Sequence, residues 1–375
     1  MKIFPILLTM LLGLSSLFAQ TENWQKQRER ERARWEQQRQ REKKAWEQQR
    51  REERARWQDM VDRESAAWQA HVAAVKRKWQ EVRFSDVKNW VGYGENKDSR
   101  FQADFENGNL TIEVLGDPGS DPALLQQQAL SILNQLLRER AADNQPPILD
   151  NQLQYGQDGR QIPPDHIRRQ NYTAPDGRQY QQMTVNIPFR QNHLRNRVQA
   201  VWPAVQRFAQ KYEVDPKLIM AIIHTESAFN PKAISTFRRA GGRMGHAYGL
   251  MQLVPYSGGK EAYEFLGGRG EPSPAILFDP EKNIELGIAY LHKLKHYHFA
   301  GVLDLQNRRY LITAGYNTGP NNVARAFGGR RQVNAVIPQI NAMPPDRLYA
   351  HLLYNLPYYE TRDYLRKVQE RVGLY

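Results

Sequence analysis

The sequence predicts a multidomain, mainly α-helical protein with three structural parts. A strict eleven-residue tryptophan spacing predicts a long N-terminal helix, and apolar alternation around an Asn-Gly pair predicts a small α+β middle domain. Apolar segments separated by Gly and Pro then predict an α-helical C-terminal domain. A chain of 375 residues is long enough for several domains with their own cores. We place the segments at residues 1–19, 20–86, 87–192 and 193–375.

The first segment, residues 1–19, is predicted to be an export signal. Lys2 gives it a basic start, and the apolar run from Ile3 to Phe18 is short for a bilayer span. An uncleaved membrane anchor is the alternative, because Leu17 is larger than the usual residue three before a cleavage site. The chain has no cysteine, so it is not a lipoprotein anchored through one. We expect an exported protein of the periplasm or cell envelope.

The charge of the chain predicts a polyanionic surrounding. The formal net charge is +13 at pH 7, which suits nucleic acid, an anionic membrane or an acidic cell-wall polymer. Export makes nucleic acid the least suitable of these, so we expect no nucleic-acid partner. Peripheral association with a membrane or the cell wall agrees with the charge, and so does the alternative that the charge only serves solubility.

Residues 20–86 are predicted to form a long charged helix. Seven of the eight tryptophans are spaced by eleven residues: Trp24, Trp35, Trp46, Trp57, Trp68, Trp79 and Trp90. Eleven residues are close to three helical turns, so the rings form a slowly drifting stripe on a helix from Glu22 to Phe84. Three interpretations stay open: a coiled coil or docking helix that binds a second copy or a protein partner, a solitary helix stabilised by Glu–Arg and Glu–Lys pairs, and a surface-binding arm.

The middle segment carries the pattern of a small α+β domain. Two strands lie within residues 101–115, joined at Asn107-Gly108, which favours a type I′ hairpin turn. Asp121 is placed to cap a helix that runs to about Ala141, and a further strand is predicted within residues 179–189. No cluster of catalytic side chains is evident in this segment.

The C-terminal segment is predicted to be helical throughout. The predicted helices span residues 202–212, 216–225, 280–297, 307–314, 321–327, 346–354 and 359–372. Asp215 is suited to cap the second of these and Pro216 to begin it, and an apolar face follows, made of Leu218, Ile219, Ile222 and Ile223.

Glu226 lies at the C-terminal end of that apolar face. A carboxyl beside apolar surface, at the negative end of the helix dipole, has its ionised form disfavoured and stays protonated near neutral pH. A protonated carboxyl is what general-acid catalysis needs.

Four ordered motifs carry a resemblance to a known family. They are His224-Thr-Glu-Ser-Ala-Phe-Asn-Pro-Lys-Ala-Ile-Ser235, Ala247-Tyr-Gly-Leu-Met-Gln252, Ala314-Gly-Tyr-Asn-Thr-Gly-Pro-Asn-Asn-Val323 and Tyr358-Tyr-Glu-Thr-Arg-Asp-Tyr364. Together they resemble the soluble lytic transglycosylase superfamily, whose catalytic domain is goose-lysozyme-like. The order of domains is similar to that of the membrane-bound lytic murein transglycosylase C group.

The resemblance implies a mechanism with one glutamate. Glu226 would protonate the glycosidic oxygen between N-acetylmuramic acid and N-acetylglucosamine in peptidoglycan glycan strands, then accept a proton from the muramyl C6 hydroxyl, leaving a 1,6-anhydro end. No Asp or Glu follows Glu226 within twenty residues, which suits a mechanism without a second carboxylate. Two alternatives stay open: a muramidase-type hydrolase of the same fold, and a non-catalytic wall-binding or assembly protein.

The resemblance also implies the surroundings of the acid. Substrate-holding roles fall on Ser235, Gln252, Tyr316 and Asn317. Glu360 is expected to be structural or to stand beside the acid, and so is Met251. Each of these residues also has an ordinary structural interpretation, such as a cap, a core tyrosine or a turn residue.

A Gly- and Arg-rich loop and a group of three histidines each have a functional and an ordinary structural interpretation. The loop at residues 236–246, rich in Gly and Arg, is longer than most relatives carry, and is either a mobile flap that contacts peptide-stem carboxylates or an inert insertion. His292, His296 and His298 lack the glutamate of a metalloprotease pattern. We therefore expect neither a metal site nor a cofactor.

Overall fold

A computed structural model describes residues 4–154, 162–239, 244–330 and 332–375, without side chains for residues 4–23, 25–27 and a few positions between 53 and 64. The chain divides into two compact units, Met1–Ala74 and Val75–Tyr375. Within the described part of the chain, no helix combines the length and apolarity that a bilayer crossing needs. The predicted export signal lies among residues whose side chains are not described.

The described residues of the first unit lie in helix α1, Phe4–Lys78. Its described tryptophans Trp24, Trp35, Trp46 and Trp68 are between 54% and 61% exposed. The guanidinium carbons of Arg28, Arg39 and Arg50 lie 4.6, 4.7 and 5.5 Å from the ring centres of the first three. Each of these arginines stands four residues after its tryptophan, so the repeat produces intrahelical cation–π pairs.

The predicted C-terminal end of this helix is wrong, and the helix carries fewer of the spaced tryptophans than expected. Helix α1 ends at Lys78 instead of Phe84. Trp79 is buried directly after the helix, where its indole Nε1 donates to the Lys97 carbonyl at 2.8 Å, and Trp90 lies in a strand. Tertiary burial of Trp79 therefore ends the helix although the eleven-residue spacing continues.

The strand-bearing part of the second unit is one antiparallel sheet with a helix on it. The strands are β1 Asn89–Tyr93, β2 Ser99–Asp104, β3 Asn109–Gly116, β4 Ile167–Thr173 and β5 Gln179–Pro188, in the order β1-β2-β3-β5-β4. Helix α2, Pro122–Leu136, is capped by Asp121 as predicted, but ends before Ala141. Its buried side faces β3 and shares a core with the sheet.

The predicted hairpin is confirmed in β2 and β3, while its type I′ turn is wrong. Asp104 pairs with Asn109 across the hairpin, so the turn has four residues, Phe105 to Gly108. Of these residues only Gly108 has a positive φ, 71°, and its amide donates to the Asp104 carbonyl at 2.9 Å. A type I′ turn would require two residues with positive φ. Strands β1 and β4 were not predicted.

The rest of the second unit is helical apart from one hairpin. Its elements are α3 His193–Lys211, α4 Pro216–Ser227, β6 Ile234–Arg238, β7 Met244–Tyr248, α5 Gly258–Phe265, α6 Pro274–Phe278, α7 Pro280–Lys293, α8 Leu305–Thr318, α9 Pro320–Arg325, α10 Ile337–Asn341, α11 Pro345–Asn355 and α12 Tyr359–Val372. A π-helical turn, Leu294–His298, continues α7. All seven predicted helices are present. Helix α12 has the predicted bounds, the other six have shifted ends, and α5, α6 and α10 were not predicted.

The expected loop at residues 236–246 is mostly a β-hairpin. Strands β6 and β7 pair from Ile234↔Tyr248 to Arg238↔Met244, and Ser235 stands opposite Ala247. Residues 240–243 lie outside the described part. The alternation of Phe237, Met244 and Tyr248 with smaller or polar residues suits strands, but the neighbouring glycines and arginines obscured that pattern.

Candidate active site

Helix α4 is fixed at its N-terminus and through its buried face. The Asp215 Oδ1 accepts from the Lys217 amide at 3.0 Å, and its Oδ2 accepts from the Arg309 Nη2 at 2.8 Å. The predicted apolar face is confirmed, since Leu218, Ile219, Ile222 and Ile223 are at most 3% exposed. The helix thus presents Glu226 in its last turn from a well-anchored position.

The chain leaves α4 through a strained turn that joins it to the second motif. Ala228 and Phe229 have positive φ angles of 47° and 62°. The buried Ser227 hydroxyl is 3.0 Å from the Ile223 carbonyl and 2.8 Å from the Leu250 carbonyl. A hydroxyl has one proton, so it donates to one of these carbonyls at a time. The residue after Glu226 is thereby linked to the segment that ends in Gln252.

The electrostatic surroundings of Glu226 favour its protonated form. Burial raises the pKa of the Glu226 carboxyl to about 8, and the Glu360 charge acts in the same direction. The Tyr364 hydroxyl and the Lys88 ammonium oppose this shift. Because burial dominates, the carboxyl holds its proton at neutral pH, as a general acid must.

The backbone around Gln252 is held by close packing. Gly249 has a φ of 75°, and a Cβ there would lie 2.3 Å from the Leu277 carbonyl oxygen. Gln252 also has a positive φ, 48°, and its Nε2 donates to the Gly249 carbonyl at 3.0 Å. The Gln252 Oε1 is buried and has no hydrogen-bond donor among the residues that the structure describes. This oxygen is therefore available to a ligand hydroxyl or amide.

A buried hydrogen bond connects Tyr316 to the backbone of Met251. The Tyr316 hydroxyl donates to the Met251 carbonyl at 2.8 Å, and the Met251 amide donates to the Asn283 Oδ1 at the same distance. Burial raises the pKa of Tyr316 well above its usual value, and the Glu226 charge adds to this. The Tyr316 hydroxyl is therefore a neutral donor already engaged with the backbone beside Gln252.

The remaining predicted residues lie on neighbouring elements. The Asn317 Oδ1 accepts from the Thr361 hydroxyl at 2.8 Å, which links α8 to α12. Glu360 is exposed in the first turn of α12, one residue before Thr361. Ser235 is partly buried in β6. The described hydrogen bonds of Ser235 and Asn317 do not reach Glu226.

Sequence reasoning missed the groups at the C-terminal end of α4. The Lys88 Nζ donates to the His224 carbonyl at 3.1 Å and to the Thr225 carbonyl at 3.2 Å. Arg197 is buried and donates from Nη2 to the Phe105 carbonyl at 2.8 Å and from Nη1 to the Ala228 carbonyl. No local pattern marks either cation, because each acts on backbone far away in sequence. Tyr364, by contrast, stands inside the fourth motif and could have been chosen.

The histidines near the end of α7 have separate partners. The His292 Nδ1 lies 2.8 Å from the Tyr212 carbonyl, and the His298 Nε2 lies 2.8 Å from the Glu261 Oε1. Among the described residues, no group of three or more His, Asp or Glu side chains converges as a metal site would require.

Comparison with known proteins assigns the family. The profile of the Transglycosylase SLT domain family matches residues 203–336. A solved structure of an inactive mutant of the lytic transglycosylase Slt from Pseudomonas aeruginosa is 27% identical, with a TM-score of 0.33, and covers 48% of this chain and 27% of its own. That score is too low for comparing positions.

Two relatives named membrane-bound lytic murein transglycosylase C match over most of their length. The protein from Sodalis glossinidius is 32% identical over 312 residues, which covers 77% of this chain and 82% of the relative. The protein from Pectobacterium atrosepticum is 32% identical over 308 residues, with the same coverage. The chain therefore belongs to the lytic transglycosylases of the SLT superfamily.

Proposed function

We propose that this protein cleaves the β-1,4 bond between N-acetylmuramic acid and N-acetylglucosamine in peptidoglycan and leaves a 1,6-anhydromuramyl end. The observation that carries the proposal is the Glu226 carboxyl, which burial keeps protonated at neutral pH. The names of the two relatives, which are murein transglycosylases, support the same reaction.

In the first step Glu226 donates its proton to the glycosidic oxygen, and the bond from that oxygen to the muramyl C1 breaks. The C6 hydroxyl oxygen then bonds to C1 and gives its proton to the Glu226 carboxylate. The acid is regenerated and no water is consumed. A carboxyl with a pKa near 8 suits both steps, because it is protonated at the start and basic enough to recover the proton.

A hydrolase of the same fold is the second candidate, and Glu360 favours it. A hydrolase needs a second carboxylate as base or nucleophile. The Glu360 charge acts on Glu226, so Glu360 is the candidate for this second carboxylate. Its exposed position at the start of α12 instead fits a residue that helps to keep Glu226 protonated.

Substrate contacts are proposed for the polar groups around the acid. The unpartnered Gln252 Oε1 is suited to accept from a sugar hydroxyl or acetamido N–H. Ser235 and Asn317 are proposed to complete this set, while Tyr316 and Met251 fix the backbone that presents Gln252.

The location and associations of the protein follow from the substrate. We propose export to the periplasm or cell envelope, with the net charge of +13 favouring an acidic wall or membrane surface. The exposed tryptophans of α1 are proposed to mediate self-association or binding to a protein partner.

Digestion of purified peptidoglycan, with mass spectrometry of the released sugar ends, tests the reaction. Anhydro ends that disappear with Glu226→Gln support the transglycosylase, reducing ends indicate the hydrolase, and the absence of cleavage indicates a wall-binding protein. Glu264→Gln is the matched control, since Glu264 is an exposed α5 residue 3.7 Å from the Lys260 ammonium. This variant should cleave as the wild type does.

A further inference from the structure

The C-terminal end of α4 receives a cation from the strand-bearing part of the chain. Lys88 directly precedes β1, and its Nζ donates to the carbonyls of His224 and Thr225 at 3.1 and 3.2 Å. The last carbonyls of a helix lack partners within it, and a positive charge there also opposes the negative end of the helix dipole. The two carbonyls that Lys88 binds belong to the residues directly before Glu226.

A tight turn and an ion pair hold Lys88 in this place. The Asp86 Oδ1 accepts from the backbone amides of Lys88 and Asn89, each at 2.7 Å. The Glu106 Oε2 lies 3.4 Å from the Lys88 Nζ, and the Glu106 Oε1 lies 3.6 Å from the Arg371 Nη2 on α12. Lys88 is thus oriented by its own backbone turn. Burial lowers the pKa of its ammonium, while the Glu106 and Glu226 carboxylates oppose that shift and stabilise the charged form.

We propose that Lys88 is a positioning residue of the lytic reaction, which fixes the last turn of α4 and supplies the positive charge that stabilises Glu226 after its proton has left. This inference rests on the proposed function, in which Glu226 is the acid. It makes the strand-bearing part of the chain a contributor to catalysis as well as a neighbour of the catalytic helices.

The other groups near Glu226 do not supply this charge. From α12 come the neutral Tyr364 hydroxyl and the negative Glu360, and from α8 comes the neutral Tyr316 hydroxyl. Burial lowers the pKa of His224 to about 4, helped by Arg371, Lys88 and Arg197, so its imidazole is neutral. Lys88 is therefore the described cation whose charge lowers the pKa of Glu226.

Removing the ammonium has two separable consequences. The last turn of α4 loses a donor shared by two carbonyls, so the carboxyl is held less firmly and kcat falls. The carboxylate also loses its nearby cation, so the pKa of Glu226 rises. The decline in rate on the alkaline side, expected near pH 8 in the wild type, then moves to higher pH. Loss of a merely structural residue would lower the amount of active enzyme without moving this alkaline limb of the pH–rate profile.

The test compares Lys88→Met with Lys88→Arg in the full chain, using the pH profile of anhydro-end release from peptidoglycan. Lys88→Met should lower kcat by about tenfold or more and leave KM within about twofold of the wild type, because Lys88 acts on the catalytic acid and not on the bound substrate. Its alkaline limb should lie at least about half a pH unit above that of the wild type. Lys88→Arg should restore most of kcat and the position of the limb.

Lys232→Met is the matched control. The Lys232 Nζ also forms an ion pair with the strand-bearing part of the chain, since it lies 3.3 Å from the Oε1 of Glu139, shortly after α2. Its described contacts do not include the carbonyls of α4. It should keep the wild-type profile. An unmoved limb in Lys88→Met, no rescue by Lys88→Arg, or the same shift in Lys232→Met would each overturn the proposal.

If Lys88→Met fails to fold, Lys88→Gln provides the same measurement, because glutamine keeps an N–H donor without the charge. An alkaline limb at higher pH in Lys88→Gln supports the proposal, and an unmoved limb overturns it. A wild type that does not release anhydro ends would instead count against the proposed function. The two failures are therefore distinguishable.

Discussion

The Tyr316 hydroxyl lies 2.8 Å from the Met251 carbonyl oxygen, to which it donates a buried hydrogen bond. This bond joins α8 to the segment that carries Gln252. The motif tyrosine is therefore committed to the backbone, while the neighbouring Gln252 keeps a buried oxygen without a described donor. Both residues were expected to hold substrate. The structure shows that Tyr316 instead positions the backbone, whereas the Gln252 oxygen is free to bind a ligand.

Tyr316→Phe should destabilise the protein and weaken catalysis. The substitution leaves the buried Met251 carbonyl without this donor, which costs about 1–3 kcal/mol. The Gln252 segment should also become less ordered and kcat/KM should fall. Urea unfolding and peptidoglycan digestion measure the two effects. Tyr310→Phe is the control, because Tyr310 lies on the same helix and its ring packs against that of Tyr349, with 4.9 Å between the ring centres. Equal losses in both variants would contradict the assignment.

Gly249→Ala should disrupt the site far more than Gly267→Ala. Both glycines have positive φ angles, 75° and 88°, so alanine is strained at either position by roughly 1–2 kcal/mol. A Cβ at Gly249 would also lie 2.3 Å from the Leu277 carbonyl oxygen and 2.5 Å from the Asn283 Nδ2, whereas nothing lies within 4 Å of a Cβ at Gly267. Differential scanning calorimetry should show the larger loss of Tm in Gly249→Ala. Similar losses of Tm in the two variants would mean that backbone strain alone, and not the close contacts of Gly249, determines the destabilisation.

The parts of the structure that the sequence predicted are those with local causes. Asp215 caps α4 and its apolar face is buried because both signals lie within one helix. Trp79 and Trp90 continue the spacing of the helix, yet leave it, because burial and strand pairing depend on distant residues.

The same distinction explains what was found and missed at the site. Glu226 could be chosen because its motif and its helix are contiguous in sequence. Lys88 could not, since it meets the His224 carbonyl across 136 positions and carries no motif of its own. Residues that act on backbone carbonyls leave no pattern of side-chain types.

Glu226→Gln should make the protein more stable than the wild type at alkaline pH. The folded pKa of Glu226 is about 8, above the ordinary value of 4.5, so the folded state binds the proton more tightly than the unfolded state. Wild-type stability is therefore fully present below pH 4.5, declines as the pH rises towards 8 and levels off above it. The total loss of stability is up to about 5 kcal/mol, because each unit of pKa difference corresponds to about 1.4 kcal/mol.

Chemical denaturation between pH 4 and 9 measures this effect. Glutamine has no proton to lose, so the difference between variant and wild type should grow across that range in favour of the variant. Glu264→Gln, on the exposed face of α5, should show no comparable growth. A difference between Glu226→Gln and the wild type that stays constant with pH would contradict the raised pKa.

Replacing the three tryptophans Trp24, Trp35 and Trp46 by alanine should abolish self-association of the full chain. Their rings are more than half exposed, although each has an arginine over it, so burial against a second helix is the remaining source of stabilisation. Concentration-dependent mass measurement should show oligomers in the wild type and monomers in the variant. Gln37→Ala with Gln48→Ala is the control, since two residues turn the helix by about 200° and place both changes opposite the stripe. A wild type that stays monomeric at all concentrations would exclude pairing and favour the solitary helix, in which the cation–π pairs alone cover the rings.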